Sequence, residues 1–283
     1  MQAQIRAQAA PALDMDVERE ALARLRAARR RHLLATLVVR SISLVVVLGA
    51  WELVGRQINP VLFAPPSAVA AAAVQVIGSG ELWRYLSQSL LVLAYGFTAG
   101  ALLGITAGLL MARFWVADVA IDTYITALYS IPMVAVVPVL VLWIGFDVLA
   151  KTVVIFLFTF FPIVINTYQG VKSVDPRLIE VGRAFRAREP QLWTNIILPA
   201  ALPFIIAGLR LAIGRGMIAM VFADIYTAIS GIGYLIVRYA SIYQIDKMFV
   251  PVVTLGVLGV TFTGILRLLE RRLAPWMHQQ AQE

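Results

Sequence analysis

Six apolar runs, each about as long as a bilayer-crossing helix, divide this chain of 283 residues almost evenly, with few charges inside them. They cover residues 33–54, 85–112, 123–146, 152–171, 196–223 and 248–266. A hydrocarbon slab of ~30 Å is crossed by ~20 helical residues. Inside it every backbone N–H and C=O must be satisfied within the segment, which leaves helices as the expected element for runs of this length. Composition closes off the soluble alternative, because a chain that is 60% hydrophobic and 14% charged cannot dress one core with a polar surface. The expected fold class is therefore all-α integral membrane: a single bundle of six transmembrane helices with both termini on one side. No cleavable signal peptide is apparent, since 32 polar and basic residues precede the first run, which reads as an uncleaved anchor.

Orientation follows from the basic residues, which are retained on the cytoplasmic side when they lie in short loops or near helix ends. With the N-terminus inside, the inner segments hold 16 of the 24 Lys and Arg: seven before the first run, Arg113, five between runs four and five, and Arg267, Arg271 and Arg272. The outer segments hold Arg56, Arg84, Lys151, Arg238 and Lys247, and Arg40, Arg210 and Arg215 lie within runs. The net charge of +8 thus sits where anionic headgroups and the positive-inside rule place it, and no nucleic-acid partner is needed to explain it. Before the first run, Leu13, Val17, Ala21 and Leu25 recur at helical spacing among Arg24, Arg29, Arg30 and Arg31. An interfacial helix on membrane lipid and a solvated tail both accommodate that pattern. Between the first two runs, Pro65 and Pro66 lead into Ser67 and an alanine-rich stretch, the signature of an N-capped short helix.

Several chemistries find no support. There is no cysteine, and His32 and His278 lie at opposite ends of the chain, so no metal site is expected. No Gly-x-x-x-x-Gly-Lys-Ser/Thr phosphate loop occurs, so the chain is not expected to bind or hydrolyse ATP. No nucleophile and base stand out as a catalytic set.

The charged island at 175–203 is the exception to the apolar pattern. Asp175 followed by Pro176 opens a helix, because the Asp side chain can accept from free amides and proline suits the first helical position. Leu178, Val181 and Phe185 then fall at i, i+3 and i+7, a narrow apolar stripe flanked by Arg177, Glu180, Arg183 and Arg186. Pro190 interrupts the pattern, so a second short helix is expected from about Glu189 to Leu198, after which Pro199 and Pro203 bend the chain into the fifth run.

Here the residues resemble a known family. Glu180, Val181 and Gly182, followed by Ile197, Leu198 and Pro199, are similar to the EAA loop in the permease subunits of bacterial ATP-binding-cassette (ABC) importers. Ile131 and Pro132 with Leu142 to Gly145, Phe161 and Pro162 with Asn166 and Thr167, Gly208 to Arg210, and Gly231 to Ile236 look like blocks of the nitrate, sulfonate and taurine branch. The likeness covers roughly 60–270. It implies a type I, MetI-like importer bundle in the bacterial inner membrane, with cytoplasmic coupling helices at about 175–198. It also implies a second permease copy, two ABC ATPase subunits that carry the ATP and Mg, and a periplasmic or lipid-anchored solute-binding protein. This chain would bind no cofactor of its own. Glu180, Val181, Gly182, Phe185, Arg186, Leu198 and Pro199 become the ATPase-coupling candidates. Two departures stand out: Glu-Val-Gly replaces the usual Glu-Ala-Ala, and Arg186 replaces the usual loop glycine, at a cost of ~1–2 kcal/mol if a left-handed backbone is required.

Ionisable residues inside spans are costly and default to functional candidates. Arg210 and Arg215 lie about 17 and 24 Å beyond Pro199 at ~1.5 Å per residue, and Asp224 falls near the outer mouth. With Ser130 and Asn166 they form the candidate translocation pathway, while pairing of the arginines with Asp224 or Glu52 would give them a structural role instead. Gly96, Gly100, Gly104 and Gly108, and Gly208 with Ala212 and Gly216, set smooth faces for close helix packing, within one chain or between two. The expected organisation is a basic segment at 1–32, a permease domain at 33–270 and a tail at 271–283. An ion-coupled secondary transporter is the alternative; it predicts inverted repeats and buried midplane carboxylates, against which the uncharged centres of most runs argue.

Overall fold

The computed structural model describes residues 31 and 34–273, all of whose long elements are helices. The expected interfacial helix at 13–31 apart from Arg31, both histidines, and the tail beyond residue 273 lie outside the described residues. The chain divides into two compact units, Met1–Ser67 and Ala68–Glu283.

The first unit holds α1 (Leu34–Gln57), whose apolar surface is exposed all round. The proline-containing segment after it folds back on its end. Trp51 Nε1 donates to the Ala64 carbonyl at 3.1 Å, and Gly55 lies so close to Pro65 that a Cβ there would come within 2.8 Å of Pro65 Cα. The helix α2 (Pro66–Gly78) starts one residue before Ser67, so Ser67 does not cap it. Instead Glu52 accepts from both the Ser67 amide (3.0 Å) and its hydroxyl (2.7 Å), a cap supplied from outside the helix.

In the second unit α6 (Val148–Lys172) is the axis around which α3 (Glu81–Arg113) and α9 (Leu198–Thr227) pack. Of its most apolar window 56% is buried, against 11% for α11 (Ile245–Leu273), which places α6 inside and α11 at the periphery. The glycine ladder explains how α3 gets so close. Gly96, Gly100, Gly104 and Gly108 face Ile155, Thr159, Ile163 and Thr167 of α6 in register, and a Cβ at Gly104 or Gly108 would meet those side chains at 2.7 to 3.0 Å. On the other side Gly208 rests on Asn166 and Gly216 on Thr159. Both ladders therefore serve packing within one chain.

The third run is not a straight crossing. It forms α4 (Trp115–Ser130) and α5 (Met133–Ile144), bent by 97° at Ile131 and Pro132. Pro132 offers no N–H to continue α4, and Ile131, being before a proline, is pushed to an extended backbone (φ −72°, ψ 132°). The described residues thus hold five helices long and apolar enough to cross a membrane, or six if the bent pair is one span.

The island forms α7 (Pro176–Ala184) and α8 (Glu189–Leu192), and α8 runs through a π-turn, Trp193–Ile197, into α9. Glu189–Thr227 is one helical path of 39 residues, so Pro199 does not separate two elements. Lacking an N–H, Pro199 cannot make the regular bond back to Asn195, and the turn before it widens so that the Leu198 amide reaches the Trp193 carbonyl. A last short helix, α10 (Ile232–Ser241), lies at the opposite end of the unit from α7, because it follows the far end of α9.

Candidate functional site

The α7 helix opens as its residues dictate. Asp175 accepts from the Arg177 amide at 2.9 Å, with Pro176 in the first turn. Its apolar stripe has no partner within the unit: Leu178 and Val181 are about half exposed and Phe185 is 85% exposed, with Glu180 beside them on the surface. Gly182 faces the other way. It is buried under Leu192 of α8 and Ile196 of the π-turn, and a Cβ there would meet the ends of those two side chains at 2.5 and 2.9 Å, so alanine at this position would require both to shift.

The turn after α7 is a Schellman motif. The Ala187 amide donates to Gly182 O (3.0 Å), and the Arg186 amide donates to Arg183 O (2.8 Å). Arg186 sits at its left-handed position with φ 57°, so the backbone keeps the glycine conformation although the residue is not glycine. Leu198 and Pro199 are half-buried at the junction of the π-turn with α9.

The pair of short helices is tied to the bundle through Arg113, which counts in the sequence only towards topology. Arg113, the last residue of α3, reaches Glu189 at 3.3 Å and lies 6.0 Å over the Trp193 ring, while Arg183 approaches the other Glu189 oxygen at 3.6 Å. The island is thus fastened to α3 by charge and runs covalently into α9. A movement of α7 and α8 has direct routes into two of the three central helices.

The intramembrane candidates part company. Ser130 and Arg215 come together at a cleft of about 350 Å³ where α4 breaks into α5. The Arg215 guanidinium stacks on the Tyr129 ring, 4.9 Å from its centroid, and Ser130 donates to its own helix at Thr126 O (2.8 Å). Asn166 lies elsewhere, packed against Gly208 with its amide returned to Pro162 O at 2.7 Å. Arg210 pairs with Glu270 of α11, and Glu52 with Arg56 (2.7 Å), so neither expected arginine partner is the one found.

Asp224 is 1% exposed, and its partner is Lys151 at 2.7 Å. Lys151 was expected in an outer loop; it is in the first turn of α6 and 3% exposed. The network around the pair is complete. Lys151 Nζ also donates to the Ser230 carbonyl (2.7 Å) and hydroxyl (3.0 Å), and Asp224 accepts from Ser89 Oγ (2.5 Å) and the Gly233 amide (3.3 Å). Ser89 in turn accepts from the Ile232 amide at 2.7 Å. Gly231, with φ 97°, passes so close to the carboxylate that no side chain could replace its hydrogen. The sequence singles out Asp224 and the block Gly231 to Ile236, but nothing in it joins them to Lys151, 73 residues before the acid.

The second unit is thus a bundle of apolar helices, two of which are joined to a short charged helical hairpin. The chain belongs to the family described as the binding-protein-dependent transport system inner membrane component, which residues 100–275 match. It is a multi-pass membrane permease subunit of the ABC importer class, a family of transport proteins and not of enzymes. It is 34% identical to the putative aliphatic sulfonates transport permease protein SsuC of Bacillus subtilis (strain 168), over 82% of this chain and 84% of that one. It is 29% identical to the taurine transport system permease protein TauC of Escherichia coli (strain K12), over 83% and 88%. In fold it resembles a chain of an amino acid ABC transporter (TM-score 0.57, 17% identity, covering 70% of this chain and 96% of that one). It also resembles the inward-facing MetNI methionine ABC transporter (TM-score 0.55, 18% identity, 66% and 93%), which makes the bundle MetI-like.

Proposed function

We propose that this chain forms the pore of an ATP-driven importer in the bacterial inner membrane and moves a small anionic solute handed over by a binding protein. The observation that carries the reading is the unpartnered stripe Leu178, Val181 and Phe185 on a hairpin fastened to α3 and continuous with α9. Such a ridge fits a groove on a soluble ATPase, with Glu180 and Arg186 setting register and Gly182, Leu198 and Pro199 transmitting the displacement. The N- and C-termini are cytoplasmic, residues 33–270 form the permease domain, and a second copy completes the pore around two ATPase subunits.

In this mechanism ATP-driven closure of the ATPases draws the hairpin, tilts α9 and α3 against the α4–α5 elbow, and shifts the bundle between inward-open and outward-open packings. The relatives named for aliphatic sulfonates and taurine support a sulfonate-like solute. Arg215 and Ser130 at the elbow belong to its path. Asp224, closed over by Lys151, and Arg210, held by Glu270, brace the walls, and Asn166 seats α6 on α9.

Uptake in proteoliposomes tests the whole reading. Import of aliphatic sulfonate or taurine should need the ATPase subunits, ATP and the binding protein together. Accumulation driven by a proton or sodium gradient without any ATPase would instead establish a secondary carrier.

A further inference from the structure

Four cations sit on α6 and α9, and three of them are matched: Lys151 with Asp224, Lys172 with Asp118, and Arg210 with Glu270. The fourth, Arg215, has no carboxylate partner among the described residues, although a charge at membrane depth is costly when left alone. Its guanidinium carbon lies over the Tyr129 ring, 4.9 Å from the centroid, a cation–π contact that holds the group without neutralising it. It opens onto the cleft of about 350 Å³ at the α4–α5 break, a volume at the small end of ligand pockets. Met133 and Val134, the first residues of α5, line the same cleft, so the positive end of that helix adds to the cation. The remaining wall is apolar, with the aliphatic Leu157 and Ile218 beside the aromatic Phe158 and Phe161, and it contains no Asp or Glu.

We propose that this cleft is a binding site within the permease for a monoanion with a compact apolar body, its charge on Arg215 and its body against Phe158 and Phe161. Resting on the permease reading, the proposal narrows its solute class. A zwitterion such as taurine is disfavoured, because the wall offers its ammonium no carboxylate. Nitrate is disfavoured because it leaves the apolar wall empty. An alkane- or arenesulfonate satisfies both halves of the site.

The test uses the intact permease–ATPase complex in lipid nanodiscs, without binding protein, and measures equilibrium binding of radiolabelled benzenesulfonate against taurine and nitrate as competitors. Wild type should bind benzenesulfonate, with both competitors at least about ten-fold weaker. Arg215→Gln should lose about ten-fold or more in affinity, the worth of a charged hydrogen bond. Met133→Trp, which fills the cleft and leaves the charge in place, should lose binding as well, so the test stands even if the arginine variant does not assemble. No binding to wild type, equal binding of taurine, or full retention in assembled Arg215→Gln each overturns the site. A complex that imports with ATP yet fails this test refutes the cleft alone, whereas a chain that recruits no ATPase refutes the permease reading itself.

Discussion

Lys151 and Asp224 show what a single buried pair does in a membrane bundle. Each is at most 3% exposed, so either charge alone would be left without water or counter-charge, and removing one partner of such a pair costs ~3–5 kcal/mol. Replacing both by apolar residues of similar size is close to neutral by the same reasoning. We expect Lys151→Met and Asp224→Leu singly to lower the thermal unfolding temperature of the detergent-solubilised protein sharply, and the double variant to recover most of the loss. A double variant as unstable as the singles would mean that the hydrogen bonds to Ser89, Ser230 and Gly233, more than the charges, hold the α9–α10 turn. Arg186 is the opposite case, visible from sequence as a non-glycine where the resembled loop carries glycine. The structure places it at φ 57°, a conformation that costs a non-glycine residue ~1–2 kcal/mol, and the two Schellman hydrogen bonds work against that cost.

Among the elements, the α3–α6 seam depends on hydrogen in place of methyl. A Cβ at Gly104 would lie 3.0 Å from Ile163 Cβ and 3.1 Å from the Phe160 carbonyl, and neither backbone can retreat without separating the helices. Gly104→Val should therefore destabilise by ~1–3 kcal/mol, as overpacking does. At Gly264 on α11 nothing lies within 4 Å, so Gly264→Ala should be neutral or slightly stabilising in the same unfolding measurement. Four glycines at a spacing of four predicted the close approach, but not the helix that makes it. The broken third span was legible only in part: Pro132 announced a disturbance, whereas a bend of 97° depends on what α4 and α5 pack against. The island was read well because caps, proline positions and an i, i+3, i+7 stripe are local, and α7 begins at the predicted Pro176.

For the molecule as a whole, the proposed drive enters through a surface that the fold does not need. Phe185 is 85% exposed and Glu180 is on the surface, so truncating both removes little from the stability of the bundle. In the Glu180→Ala, Phe185→Ala double variant we expect unchanged thermal stability together with weakened ATPase association and reduced solute-stimulated hydrolysis. Full retention of both activities would count against docking at α7. The sequence by itself determined the helical class, the apolar runs, the capped short helix at Pro176 and the family likeness, because these follow from periodicity, backbone chemistry and motifs along the chain. Only the tertiary structure decided which charges meet. Lys151 finds Asp224, Arg210 finds Glu270 and Arg215 faces a cleft, since pairing across 60 to 73 residues depends on how α3, α6, α9 and α11 are placed side by side.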